Sequence, residues 1–406
     1  MSKKRSNLFA AVSLALFCAM ALNFAACSVS AGVGEDFAES QMELSLALFK
    51  NAIKESEDEN TLISPLSLQI ALAMVANGAD GETKKEIEEL IGSGTETERL
   101  NKFLKSYIDT LTSDKNSPLE IANSIWSRDD EDFDVNKDFI KMNKESFDAD
   151  FSLSPFDNTT VDEINKWVEK NTHGMIDGII DNISANDVMI LINALAFDAE
   201  WAIEFSEKSV KKGFFAGADG KQQLADMMTS SEKRYVEIEG AEGFIKGYAG
   251  GKYSFAALLP NEKVGLNEFV ESLDAKKLLD SLKGAAETEV MITLPKFTAE
   301  YELEFSPILE NMGMKSAFDS DAADLSKLGV HKNGNLYISS VKHKTFISLD
   351  RKGTEAGAAS SVTVTYKSSI MPTAKELRFD RPFLYMIIDN ETSIPIFIGA
   401  LNNIAE

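Results

Sequence analysis

Cysteine is nearly absent: among 406 residues only Cys18 and Cys27 carry a thiol, both near the N-terminus. A disulfide framework running through the chain and a CxxC-type metal cluster are therefore excluded. Histidine is as sparse, with His173, His331 and His343 the whole supply. Few side chains could then serve as the base of a Ser/His/Asp relay. Basic charge is also short, since 41 Lys and Arg stand against 65 Asp and Glu, a formal charge of −24. Such a surface repels phosphate, and nucleic acid drops out of the expected partners. No GxSxG elbow, HExxH, GxxxxGK[ST] loop or post-strand GxGxxG occurs. Asp130, Asp132 and Asp134 start like a calcium loop, but Val135 stands where Gly is needed and Lys141 where the bidentate Glu belongs. A solvated loop is the expectation there. His331, in HKNGN, and His173, in THG, read as surface residues, whereas His343 lies between strand-like segments where a buried, hydrogen-bonded imidazole is expected. The chain is read as no enzyme, with no metal and no cofactor.

What is present begins with Lys3, Lys4 and Arg5 ahead of an apolar run from Leu8 to Leu22, the pattern of a secretory signal. The run ends in Phe24-Ala25-Ala26-Cys27, which resembles a bacterial lipobox, with Phe24 where Leu is usual. The expectation is a signal peptide over 1–26, lipidation of Cys27 and a tether over 27–36 that holds the exported protein at the cell envelope or surface; the alternative is an ordinary signal cleaved a few residues later and a secreted protein. Loss of residues 1–26, which carry three basic and no acidic groups, takes the charge from −24 to −27. It also leaves Cys27 as the sole cysteine.

From residue 37 no stretch is long or biased enough to be a linker, so 37–406 reads as one domain. Its 44% hydrophobic content is ample for a large core. Three- and four-residue apolar spacing predicts helices over 37–54, 65–76, 83–91, 98–112 and 161–171. Pro65 after Ser64 suits a first-turn proline behind a cap. Alternating or continuous apolar runs predict strands over 255–259, 289–294, 336–340, 345–349, 362–366, 383–388 and 394–399. Helices first and strands later give an α+β class with antiparallel or mixed sheets.

Residues 353–370, GTEAGAASSVTVTYKSSI, carry no charge between Glu355 and Lys367 and no proline. At strand period Thr354, Ala356, Ala358, Ser360, Val362 and Val364 share one face. Small side chains and a complete set of N–H groups would let this segment enter the middle of a sheet, although a flexible loop feeding an edge strand has the same composition.

HKTFISLDRKGTEAGAASS followed by LRFDRPFLYMIIDNETSIPIFIGAL resembles the hinge and C-terminal signature of the serpins, the serine-protease-inhibitor superfamily. ISPLSLQIALAMVANGADGET, NKWVEKNTHGMIDGII, LINALAFDAEW and LPKFTAEYELEFSPILENMGMKSAFD resemble further serpin motifs in the family's order. The resemblance implies three β-sheets and an exposed reactive loop at about 353–375. It implies a suicide-substrate inhibitor that traps a serine protease covalently by inserting its cleaved loop into the large sheet A.

By the same resemblance Gly353 matches the hinge glycine fourteen residues before the scissile bond, which puts that bond at Lys367-Ser368 and suggests trypsin-like targets. A loop one residue shorter would move it to Tyr366, the long stretch from Lys367 to Phe379 leaves a later cut near Met371 open, and an elastase-like protease would cut near Val364 to Tyr366. Gly353, Thr354, Glu355, Ala356, Gly357, Ala358 and Ala359 form the implied hinge, whose small residues argue against the alternative of a non-inhibitory binding or carrier serpin. Ser64, Ser67, Asn193 and His343 match the shutter under sheet A, and Trp201 matches the breach. One departure stands out: Arg351 replaces the usual Glu, facing a lysine like Lys296 with like charge. Glu82, Glu86, Glu88 and Glu89 against Lys84 and Lys85 make a glycosaminoglycan an unlikely partner.

Overall fold

The computed structural model describes residues 35–404 apart from 57, 115–116 and 355–374. Helix α1 (Glu35–Glu55) begins inside the segment read as a tether and is followed by β1 (Thr61–Ile63). Ser64 then caps α2 (Pro65–Ala76) by accepting the N–H of Ser67, with Pro65 in the first turn, where its missing N–H costs nothing. Next come α3 (Gly81–Gly92), α4 (Thr97–Leu111), β2 (Leu119–Arg128), β3 (Phe133–Val135), α5 (Lys137–Phe147), β4 (Asp150–Ser154) and α6 (Asn158–Asn171). Strands β5 (Met189–Phe197), β6 (Ala199–Glu200), β7 (Val210–Ala216), β8 (Gln222–Ile238), β9 (Ala241–Gly247) and β10 (Tyr253–Pro260) lead to helices α7 (Leu266–Ser272) and α8 (Ala275–Lys283). The chain ends through β11 (Ala286–Pro295), β12 (Phe297–Glu304), α9 (Ser306–Asn311), β13 (Gly329–His331), β14 (Lys342–Leu349), β15 (Gly353–Thr354), β16 (Lys375–Arg378), β17 (Phe383–Asp389) and β18 (Pro395–Leu401).

Two expectations change. Strands β2, β4 and β5 stand among the helices of the first half, so helices and strands are less segregated than expected. Residues 336–340 form no strand: Leu336 is buried, Tyr337 is exposed, and the N–H of Ile338 goes to the carbonyl of Ala317. Their alternation comes from resting every second residue on the body, without a ladder partner.

The largest sheet has nine strands, ordered β1-β18-β17-β10-β9-β8-β11-β16, with β7 beside β8. The 17-residue β8 joins its parts, pairing with β7 and then β9 along one side and with β11 along the other. Strands β10, β17 and β18 are buried along their whole length, as their largely apolar sequences, interrupted only by Ser254 and Asp389, require. A second sheet is split. One part is β4-β2-β5 and the other β12-β14-β15-β6. Asp198 alone separates β5 from β6, so the two parts are halves of one sheet whose middle, between β5 and β14, is unpaired among the described residues. In β14 the period-two pattern turns His343, Thr345, Ile347 and Leu349 inward.

Candidate functional site: a slot and the hinge seated at its head

At the head of the slot the chain leaves β14, turns, and re-enters the sheet. The Asp350 carboxylate accepts the N–H groups of Lys352 and Gly353, at 2.7 and 3.3 Å, which closes the turn. Gly353 and Thr354 then lie as a strand between β14 and β6, Thr354 opposite both Leu349 and Ala199. No other residue fits at 353: an added Cβ would stand 2.0 Å from the Ala199 carbonyl oxygen and 2.8 Å from Glu200 Cα. Thr354 is 1% exposed, and its Oγ1 shares a 2.6 Å hydrogen bond with the hydroxyl of Tyr248. Burial pushes that phenol far above its ordinary pKa, so it stays neutral.

Trp201 holds the turn from the other side. Its indole N–H donates to the Asp350 carbonyl at 3.0 Å, its backbone N–H donates to the Lys352 carbonyl, and its ring stacks on Tyr248 at 4.5 Å and 7°. Arg351 is not left facing a like charge. Its guanidinium reaches Glu204 at 2.7 Å, while Lys296 is exposed and forms no salt bridge among the described residues. The acid that balances Arg351 is thus 147 residues away in sequence.

Lower down, β5 and residues 336–344 flank a cleft of about 820 Å³, floored by Ser67 and Leu72 of α2. His343 is 4% exposed, and its Nε2 accepts the backbone N–H of Ser64 at 3.0 Å. Desolvation pushes its pKa down to about 3, which keeps the imidazole neutral. The ring of Phe305 stands edge-on to it at 5.5 Å. Asn193 lies across the cleft in a different group: its amide donates to Asn123 Oδ1 at 2.7 Å, and Asn123 donates in turn to the Phe147 carbonyl. Asn193 Oδ1 is buried without a partner among the described residues. Ser64, Ser67 and His343 are therefore one hydrogen-bonded group, and Asn193 faces them from the opposite wall.

A strap covers the slot. Residues 172–188, between α6 and β5, cross its outer face; Asn165 holds them through the N–H groups of Ile179 and Ile180, and Arg128 through the carbonyls of Ser184 and Asp187. On the β14 side Lys344 reaches Asp177 at 3.2 Å and Lys342 reaches Asp181 at 4.0 Å. Trp126, Ile164, Val168, Ile176 and Ile192 form a small separate core beneath, against which Phe346 of β14 packs.

Residues 39–404 match the family described as Serpin (serine protease inhibitor). The chain belongs to the serpin family. An uncharacterized serpin-like protein of Thermococcus kodakarensis is 30% identical over 355 residues, covering 85% of this chain and 81% of that protein. The thermophilic serpin tengpin in its native state is similar with a TM-score of 0.86 at 45% identity, over 92% of this chain and 96% of the other. Tengpin in its latent state gives 0.82 at 44% identity, over 92% and 100%.

In this serpin the residues read as hinge, Gly353 and Thr354, meet those read as breach, Trp201 and Arg351, at the head of the slot. Ser67, Asn193 and His343 line its lower part, with Ser64 behind them. Glu355, Ala356, Gly357, Ala358, Ala359, Lys367, Ser368 and Cys27 lie outside the described residues. Tyr248, Glu204 and Asn123 were invisible in the sequence, since none sits in a motif and each is joined to its partner only by the fold. In the acidic loop at 130–134, Asp132 pairs with Lys332 at 3.0 Å and accepts from Asn333.

Proposed function

We propose that this serpin is a suicide-substrate inhibitor of trypsin-like serine proteases, cleaved at Lys367-Ser368. The target's serine attacks the Lys367 carbonyl carbon, an ester forms, and the peptide bond to Ser368 breaks as the new amine leaves with a proton from the protease. The freed loop then continues from Thr354 down the slot as a new strand, and the acylated protease is carried with it before water can release it.

The observation that carries this reading is the seated pair Gly353-Thr354. It is already hydrogen-bonded on both flanks, at the head of a slot whose walls β5 and β14 lack a shared partner among the described residues. An entering strand would lie between two strands that share no ladder partner among the described residues, and each residue added would make ladder bonds on both sides. The charge-free, proline-free sequence beyond Glu355 is compatible with that path. No residue of the inhibitor needs to do chemistry.

Incubation with trypsin-like and elastase-like proteases, followed by denaturing electrophoresis and sequencing of the released peptide, tests the reading. A denaturant-stable complex and a peptide beginning at Ser368 are expected. A peptide beginning at Thr365, Tyr366 or Lys367, with elastase-like proteases trapped best, would move the target class. Intact proteases throughout would favour a binding or carrier role. We further propose that Cys27 anchors the protein to a membrane; mass spectrometry should find the lipid, and Cys27→Ser should release the protein from the membrane fraction. A soluble, unacylated wild type would refute the anchor.

A further inference from the structure

Lys246 of β9 is 3% exposed, a strongly hydrated cation inside the core. Its ammonium lies 2.7 Å from Glu232 Oε1 on β8, an oxygen that also accepts the Ser230 hydroxyl at 2.6 Å. The same ammonium stands 4.6 Å from the ring centre of Phe205 and 5.5 Å from that of Trp201. Those two residues are the ones that grip the turn leading into the hinge. Trp201 donates to the carbonyls of Asp350 and Lys352, and the Phe205 N–H donates to the carbonyl of Arg351. Trp201 also stacks on Tyr248, which bonds Thr354.

A buried ion pair is poor evidence for stability, because apolar residues of similar volume often serve as well. A desolvated cation against two aromatic faces does something apolar packing does not: it fixes the rings by a directional attraction. We infer that Lys246 is a positioning residue of the inhibitory reaction, holding Trp201 and Phe205 so that Gly353-Thr354 stays seated and insertion starts from a docked strand. Without it, the loop is cut at the same bond but begins insertion later, and deacylation gains. The inference rests on the loop-insertion reading and deepens it.

The experiment compares wild type, Lys246→Met/Glu232→Gln and Lys246→Arg. The double variant leaves no buried unpaired charge, and Gln keeps an acceptor for Ser230. Each protein is nicked in its loop by a metalloprotease, and insertion is followed by tryptophan emission and by the gain in melting temperature. Stoichiometry of inhibition and association rate are then measured with an inhibited protease. The double variant should insert about tenfold more slowly, the factor that about 1.4 kcal/mol of lost ring attraction gives. It should need more inhibitor per protease at an unchanged association rate, and Lys246→Arg should restore both. Should the double variant not fold, Phe205→Leu, which removes the nearer ring and keeps the ion pair, must show the same slowing. Wild-type insertion rates in these variants would overturn the role of Lys246. A wild type that gains no stability when nicked would instead overturn loop insertion itself.

Discussion

The hydroxyls of Tyr248 and Thr354 lie 2.6 Å apart in a fully buried pair, so the first hinge side chain is already inside the sheet before any cleavage. Thr354→Arg would force a guanidinium into that place at a cost of several kcal/mol. Cleavage at Lys367 should continue, but the variant should release active protease and behave as a substrate. Lys367→Ala should do the reverse, losing reaction with trypsin-like enzymes while the nicked protein still inserts. Efficient trapping by Thr354→Arg, read as denaturant-stable complex per protease, would rule out insertion through this seat.

His343 makes a prediction in pH. Its folded pKa is depressed to about 3 from the ordinary 6.5, so between those values the unfolded chain binds a proton that the native chain does not. Stability from this group is complete above about pH 6.5 and is lost as pH falls toward 3, by about 1.4 kcal/mol for each unit in that window. His343→Gln offers Ser64 N–H an uncharged acceptor and should flatten the acid limb of the melting profile. Equal slopes for the two proteins would show that the imidazole does not titrate as its burial demands. His343→Ala, by contrast, leaves the Ser64 N–H unpaired and should cost about 1–3 kcal/mol at neutral pH.

How much of this was legible in advance depends on whether the signal was local. The Ser64 cap and Pro65 start announce α2 because capping is decided within four residues. Strand β5, MILINALAF, is an apolar run broken only by Asn193 that helix and strand templates fit alike, and only its pairing with β2 resolves it. Gly353 could be matched to a hinge from its neighbours, yet the reason it must be glycine is the Ala199 carbonyl, which no window around 353 contains. Arg351 looked like a repulsive departure because its partner, Glu204, is supplied by tertiary contact. Asn193 and His343 were matched to one shutter, and in the structure their hydrogen bonds belong to two separate groups.

The strap over the slot should make insertion depend on salt. A strand entering the slot needs roughly 4.8 Å to each of its neighbours, β5 and β14. Lys344 stands on β14 and Asp177 on the strap over the slot, so strand entry is expected to shift one against the other and strain their 3.2 Å pair. Asp177 is well exposed and its carboxyl is held below the usual range by the hydrogen bond from Lys344, so added salt should weaken the tie. Insertion after nicking should therefore quicken from low to high ionic strength in wild type and respond less in Asp177→Asn. A salt response equal in both proteins would mean that the pair is not among the contacts that resist opening.

The last prediction follows from register. Thr354 pairs with Leu349 on one side and Ala199 on the other, both antiparallel. Continued without a bulge, each ladder advances one residue down the hinge for one residue back along β14 and β5. Ser360 then arrives level with His343 and with Asn193 at the same time, on the inward face it shares with Thr354. Asn193 Oδ1 is a buried acceptor with no partner among the described residues. A serine hydroxyl entering there supplies the missing donor, so insertion joins the two polar groups that the open slot keeps apart. Ser360→Val should leave the native melting temperature unchanged, because on the loop-insertion reading this residue enters the slot only after cleavage. It should lower the melting temperature of the cleaved, inserted form, by the equivalent of about 1–3 kcal/mol for a buried acceptor left unmade. A cleaved Ser360→Val protein as stable as cleaved wild type would mean that the inserted strand adopts another register.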